Sequence, residues 1–191
     1  MSVAPAREMH WTEDEYLRME ADSAIKHEFY GGEIYAMAGA RLRHNVVAAN
    51  TVGALVALLR GGACFTFNSD QRILVRSPGK FYTYADGGVV CGESRVSDKD
   101  GMSLENPALL FEVLSPSTRD YDRGAKLFLY QQIPSLSDVL LIDQPARLVE
   151  RHHRGPLGWT AETYGEGAIA VLGGRLSLDD IYRLPPGLPD D

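Results

Sequence analysis

Residues 108–118 read ALLFEVLSPST, and the assignment of this stretch decides the fold. Ala108, Leu109, Leu110, Phe111, Val113 and Leu114 form an almost unbroken apolar run, the composition of a strand buried on both faces. Glu112 lies in the middle of it. A carboxylate taken out of water without a partner costs several kcal/mol. Side chains alternate along a strand, so Glu112 shares a face with Leu110 and Leu114, while Phe111 and Val113 point the other way. Ser115 and Pro116 close the strand just beyond, which puts the acid near a strand end, where a site opens to solvent.

Working downstream, the spacing predicts a helix over about 119–133 that Pro134 ends. Within RDYDRGAKLFLYQQ, Asp122, Lys126 and Tyr130 fall at i, i+4 and i+8 and share a helix face. Working upstream, CFTFNS, RILVRS and FYTYADGGVVC read as strands, the last two joined by a turn at Ser77-Pro78-Gly79-Lys80. The run FYTYADGGVVC carries a second misplaced acid, Asp86, since aspartate is poorly suited to a strand interior. Two acids on neighbouring strands repel unless a cation lies between them. A hard divalent ion such as Mg²⁺ suits that position, taking one or two carboxylates and keeping its waters. A lysine on the following helix would balance the acids, orient a water or steady a developing negative charge.

Plainer readings stand beside this one. Asp86 fits a strand-start residue that bonds backbone amides. Glu112 fits a buried partner of an arginine, with Arg72, Arg76 and Arg123 available, and Lys126 fits a solvated helix lysine. Acid, acid and lysine on strand, strand and following helix together favour a site.

The remaining chain frames these elements. Thr12 with Glu15 fits a capping box opening a short helix to about Glu20. KHEFY and EIYAMA flank Gly31-Gly32, a two-residue hairpin signal. A helix runs from about Arg41 to Arg60, with Val47, Thr51, Leu55, Leu58 and Leu59 on one face, and Gly61-Gly62 stops it. Residues 92–107 are polar and loop-like. DVLLIDQ is a buried strand, and RLVERHHR, WTAETY and AIAVLG are antiparallel strands, with LDDIYRL a closing turn of helix. The order gives an α/β or α+β domain around one mixed sheet.

The 191 residues suit one domain, with residues 1–10 an N-terminal extension, 11–184 the domain and 185–191 a disordered tail. The net charge of −7 opposes tight nonspecific binding to a nucleic-acid backbone, yet allows an acidic site that recruits metal. No run of about 18 apolar residues suggests a membrane span, and the N-terminus has no apolar signal region. Cys64 and Cys91 lie in apolar runs and read as packed free thiols in a reducing cytoplasm.

Other polar groups carry weaker signals. His44 begins the long helix near Arg41 and Arg43, where it is either a surface residue or a group facing phosphate at a helix N-terminus. Glu33 reads as solvated; Glu28 reaches a metal if its strand borders the site. Adjacent His152 and His153 in ERHHR point to opposite faces, a poor ligand geometry, and the segment reads as a polar edge strand. Ser115 lacks the glycine-flanked elbow of a serine hydrolase.

With HEFYGGEIYAMAG (27–39), His44, Asp86, FEVLSPSTRDYDRGAK (111–126) and Tyr130 in view, the chain resembles the Uma family of restriction-endonuclease-like proteins. The resemblance spans roughly Trp11 to Tyr182. It implies a restriction-endonuclease-like core, a mixed central sheet flanked by helices with extra antiparallel strands, and a PD-(D/E)XK active-site pattern. Asp86 matches the aspartate of that pattern and Glu112 the second acid; the lysine position falls on Leu114, and Lys126 on the next helix matches the migrated variant. Implied too are Mg²⁺ or Mn²⁺ held by Asp86, Glu112 and Glu28, catalysis by Asp86, Glu112, Lys126 and His44, and weak action on nucleic acid, DNA above RNA, by a cytoplasmic homodimer. Two departures stand out. Ala85 replaces the proline before Asp86, and Gly87-Gly88 replaces valines, which either loosens the strand or permits close backbone approach. A catalytically inactive module of the same fold, acting by binding or oligomerisation, is the competing expectation.

Overall fold

The computed structural model describes residues 10–187. The expectations for the extension before residue 10 and for residues 188–191 lie outside the described residues.

Thr12 opens helix α1 (Glu13–Asp22) with the reciprocal capping box its sequence predicts. Strands β1 (His27–Tyr30) and β2 (Glu33–Ala36) pair as a hairpin with Tyr30 opposite Glu33. Gly31 and Gly32 both take positive φ, +61° and +90°, the conformation a two-residue hairpin turn demands. Helix α2 (Leu42–Leu58) follows, then β3 (Cys64–Asn68), β4 (Arg72–Val75), β5 (Phe81–Tyr84), β6 (Gly87–Cys91) and β7 (Pro107–Leu114). Helix α3 (Arg119–Tyr121) passes through a π-helical turn (Asp122–Lys126) into α4 (Leu127–Tyr130). Strands β8 (Asp138–Asp143), β9 (Leu148–Gly155), β10 (Gly158–Tyr164), β11 (Ala168–Val171) and β12 (Gly174–Ser177) precede α5 (Leu178–Ile181).

The expected mixed central sheet is present, but not every strand joins it: the strands form three sheets. A six-stranded mixed sheet runs β10-β9-β8-β7-β6-β3, a four-stranded sheet runs β2-β1-β5-β4, and β11-β12 is a separate ribbon. The β7–β8 pair is parallel and the helical segment after β7 is its crossover. The run FYTYADGGVVC is also not one strand. It breaks at Ala85-Asp86, so that β5 belongs to the small sheet and β6 to the large one. The sequence reads there as one β-like run with an acid inside it; only the two sets of partners reveal that the chain breaks at that acid.

Strand β7 is buried on both sides, as its composition requires. Phe111 and Val113 pack with Val47 and Leu55 of α2, while Leu110 and Leu114 pack with Leu127, Leu129 and Tyr130. Glu112 is on the second side. The glycine pair permits close approach. A Cβ on Gly88 would come within 2.5 Å of the Leu109 carbonyl oxygen and 2.6 Å of Phe67, and one on Gly87 within 2.6 Å of Phe111.

Two further expectations fail. The segment ERHHR lies on β9, which is interior between β8 and β10. Two of its groups reach one acid on the neighbouring strand: Arg151 Nε lies 2.7 Å from Asp138 and His153 Nδ1 3.1 Å from the same carboxylate. Cys64 and Cys91 are not free thiols. They face each other in the β3–β6 register and form a disulfide, so cysteine usage no longer points to a reducing compartment. No described helix is long and apolar enough to cross a membrane.

Candidate functional site

The break between β5 and β6 places Asp86 where the two sheets diverge. Gly87 pairs with Phe111, so the next antiparallel position sets Asp86 across from Glu112. The Asp86 side chain takes over the ladder there: its Oδ2 accepts the Val113 N–H at 2.7 Å. His44, in the first turn of α2, brings Nε2 to 3.2 Å from the same oxygen.

Glu112 is 4 % exposed and has found partners other than the arginines. Tyr130 donates its hydroxyl to Oε1 at 2.6 Å, and Lys126 Nζ lies 3.0 Å from that oxygen. Arg72 is spent on Asp100, Arg76 on Glu105 and Arg123 on Glu150. Lys126, far from being solvated, is 4 % exposed. Its ammonium also lies 3.2 Å from Glu28 Oε1 and donates to the Tyr84 carbonyl, which ends β5 beside the break. Glu28 is held on both oxygens, Oε1 by Thr83 and Lys126, and Oε2 by the Tyr121 hydroxyl at 2.8 Å.

The structure therefore brings Asp86, Glu112, Lys126, His44 and Glu28 to one place between the sheets. Glu33 is left out: it is exposed and accepts the Tyr35 hydroxyl. Ser115 bonds the hydroxyls of Ser117 and Thr118.

Two tyrosines carry contacts that the sequence had not assigned. Tyr130 shares the Lys126 face by its i+4 spacing and was legible on that ground. Tyr121 precedes Lys126 by five residues, a spacing that leaves the face of a regular α-helix. The π-helical turn Asp122–Lys126, in which the Leu127 N–H reaches back to the Asp122 carbonyl, brings the two to one side.

Electrostatics favour a cation. Burial pushes the Glu112 carboxyl up to about 8, against the pull of Lys126, and Asp86 and Asp122 add to the rise. Burial likewise raises Asp122, with Asp86 and Glu28 adding to it. Burial opposes the charge on Lys126, but Glu112, Tyr130, Glu28 and Asp122 outweigh it and keep the ammonium protonated. His44 behaves alike: burial opposes its charge, and the Asp86 hydrogen bond with nearby Glu112 raises its pKa overall. Four carboxyl groups thus surround one ammonium and one imidazole, and the cluster is short of positive charge.

The donor chemistry fits a hard divalent ion held by few protein ligands. Among the described residues no three His, Cys, Asp or Glu side chains gather as a metal-holding group. Asp86 and Glu112 remain as a carboxylate pair, whose contacts seen among the described residues fall on Oδ2 and Oε1. Mg²⁺ commonly uses one or two carboxylates and fills its shell with water.

Comparison with known proteins agrees with this fold. A solved structure described as a "putative nuclease belonging to DUF820", from Anabaena variabilis, superposes with a TM-score of 0.71, covering 89 % of this chain and 96 % of that one at 18 % identity, a likeness of fold. Two uncharacterised proteins of Synechocystis sp. are closer in sequence: slr1290 is 34 % identical over 174 residues (89 % of this chain, 90 % of the relative). The other, sll1609, is 35 % identical over 159 residues (82 % and 89 %). The family model for Uma2, described as "Putative restriction endonuclease", matches residues 13–183. With the family model covering most of the chain and the restriction-endonuclease-like fold in place around Asp86 and Glu112, the chain belongs to the Uma2 family.

Proposed function

We propose that this chain is a divalent-metal-dependent nuclease that hydrolyses phosphodiester bonds of nucleic acid, with DNA the expected substrate. One observation carries the reading. An acid at the break before β6 and a second in β7, each with one oxygen held by the protein, meet a buried lysine 3.0 Å from the second of them. Asp86 and Glu112 would hold Mg²⁺ or Mn²⁺, which when bound supplies Lewis acidity and a water of lowered pKa. The chain's own residues do the rest. Val113 and His44 fix Asp86, leaving Oδ1 for the ion; Tyr130 fixes Glu112 through Oε1. Lys126, kept charged by its acids, is placed to hold a water or to stabilise charge developing on a phosphate. Glu28, engaged on both oxygens, positions Lys126. Two copies paired in a homodimer would carry two such centres, which sedimentation velocity tests as a doubled mass.

The test is nicking of supercoiled plasmid in Mn²⁺ or Mg²⁺. Wild type cuts slowly and Glu112→Ala does not; equal behaviour of the two across metals and substrates overturns the reading. A second reading, an inactive module on the same fold, is favoured by the self-paired state of Glu112 and Lys126. Calorimetric titration with Mn²⁺ separates them. Binding that disappears in Asp86→Asn supports the nuclease, and no binding by wild type supports the inactive module.

A further inference from the structure

The small-sheet wall of this site is aromatic. Glu28 pairs with Tyr35 and Tyr30 with Glu33, so alternation puts all four side chains on one face of the hairpin. The opposite face is core, where Phe29 stacks on Tyr16 and lies near Tyr82. On the near face Tyr121 reaches Glu28 from α3. Tyr30, Tyr35 and Tyr121 are 37 %, 50 % and 39 % exposed, whereas Glu28, Glu112 and Lys126 behind them are 4–5 % exposed. Three part-exposed phenol rings, that of Tyr30 edge-on to the buried Phe81 at 5.8 Å, thus lie on or against the hairpin face that carries the buried Glu28.

We infer that the substrate is single-stranded nucleic acid, whose unpaired bases stack on Tyr35, Tyr30 and Tyr121 while one phosphate reaches the recess. The inference rests on the nuclease reading and deepens it. Three physical arguments support it. A duplex is stiff, with a persistence length of about 50 nm, and presents its phosphates on a convex surface. A single strand bends into a recess that such a surface cannot enter. Stacking uses the exposed faces of bases, which a duplex hides, and contributes roughly 1–3 kcal/mol per base whatever the sequence. Binding by stacking also suits a chain of net charge −7, which cannot rely on a broad basic face. The arginines near the end of β7 are engaged with acids: Arg123 with Glu150 and Asp143, and Arg119 3.9 Å from Asp143.

The test is fluorescence anisotropy with a labelled 12-nucleotide strand and with the same sequence as a blunt duplex, both in EDTA. Single strand is expected to bind at least about tenfold tighter than duplex, and Tyr35→Ala to weaken it by about tenfold, within the range of one lost stack. Tyr35→Phe keeps the ring and keeps the affinity, which separates stacking from the hydroxyl contact to Glu33. Duplex bound as tightly, neither form bound, or Tyr35→Ala unchanged overturns the inference. Because binding is read without metal, the two readings fail separately. Tyr35-dependent strand binding without hydrolysis in Mn²⁺ sinks the nuclease and leaves the strand surface. Hydrolysis that prefers duplex sinks the strand surface and leaves the nuclease.

Discussion

Glu112 takes its unusual state from burial more than from its neighbours. Tyr130 and Lys126 both favour its charged form, but Lys126 divides its charge between Glu112 and Glu28, and desolvation prevails. Its carboxyl is raised from 4.5 to about 8, so without a bound cation folding takes up a proton between those values. The stability this proton supplies is full below about 4.5 and is lost as pH rises to about 8. Glutamine keeps an acceptor for Tyr130 and Lys126 and carries no proton to lose. The advantage of Glu112→Gln over wild type should therefore grow from pH 5 to pH 8, by on the order of 1 kcal/mol per pH unit. Urea midpoints measured at both pH values check this, and a difference that stays constant shows instead that Lys126 holds Glu112 ionised. At this scale the sequence was readable where chemistry broke a pattern. Glu112 and Asp86 interrupt apolar runs, and Lys126 follows a strand acid on the next helix. Tyr121 was hidden because its partner Glu28 is 93 residues away and a π-helical turn alters its face.

Elements with a complete local signature were legible: the capped α1, the Gly31-Gly32 hairpin, the amphipathic α2 and the apolar β7. The breaks were not. The bend at Ala85-Asp86 depends on two sheets competing for one run of residues, and the interior place of β9 depends on its β8 and β10 partners. The same contrast fixes the meaning of the glycines. At Gly88 a methyl group meets the Leu109 carbonyl oxygen at 2.5 Å, and that oxygen belongs to a central strand with no room to retreat. Overpacking of this kind costs about 1–3 kcal/mol, so Gly88→Ala should destabilise by that amount despite the better strand propensity of alanine. Gly53 lies mid-α2 with nothing within 4 Å of its would-be Cβ, and Gly53→Ala should stabilise by about 0.5–1 kcal/mol. Denaturant unfolding of both variants tests the assignment. A neutral Gly88→Ala would return the Gly87-Gly88 pair to the looser strand that composition alone suggests.

For the whole molecule, the large sheet ends on one side at β3, which among the described residues pairs only with β6. Asp86 immediately precedes β6, so the order of this edge bears on the site. Three features tie it down. Residues of α2 pack over the sheet, the glycine pair lets β3 and β7 close on β6, and Cys64 is joined to Cys91. The bond escapes a sequence reading because each cysteine alone looks like a small apolar residue, and two strands of the other sheet intervene between β3 and β6. The linked residues are 27 apart, and closing a loop of that length restricts the unfolded chain by an amount equivalent to about 3–4 kcal/mol. Reduction by dithiothreitol, or the Cys64→Ser/Cys91→Ser variant, should accordingly lower the unfolding free energy by about 2–4 kcal/mol and move the urea midpoint down. The oxidised protein should show no thiol reactive to Ellman's reagent even when unfolded. Two reactive thiols on unfolding, with a midpoint indifferent to reductant, would leave β3 held by its hydrogen bonds and by α2 alone.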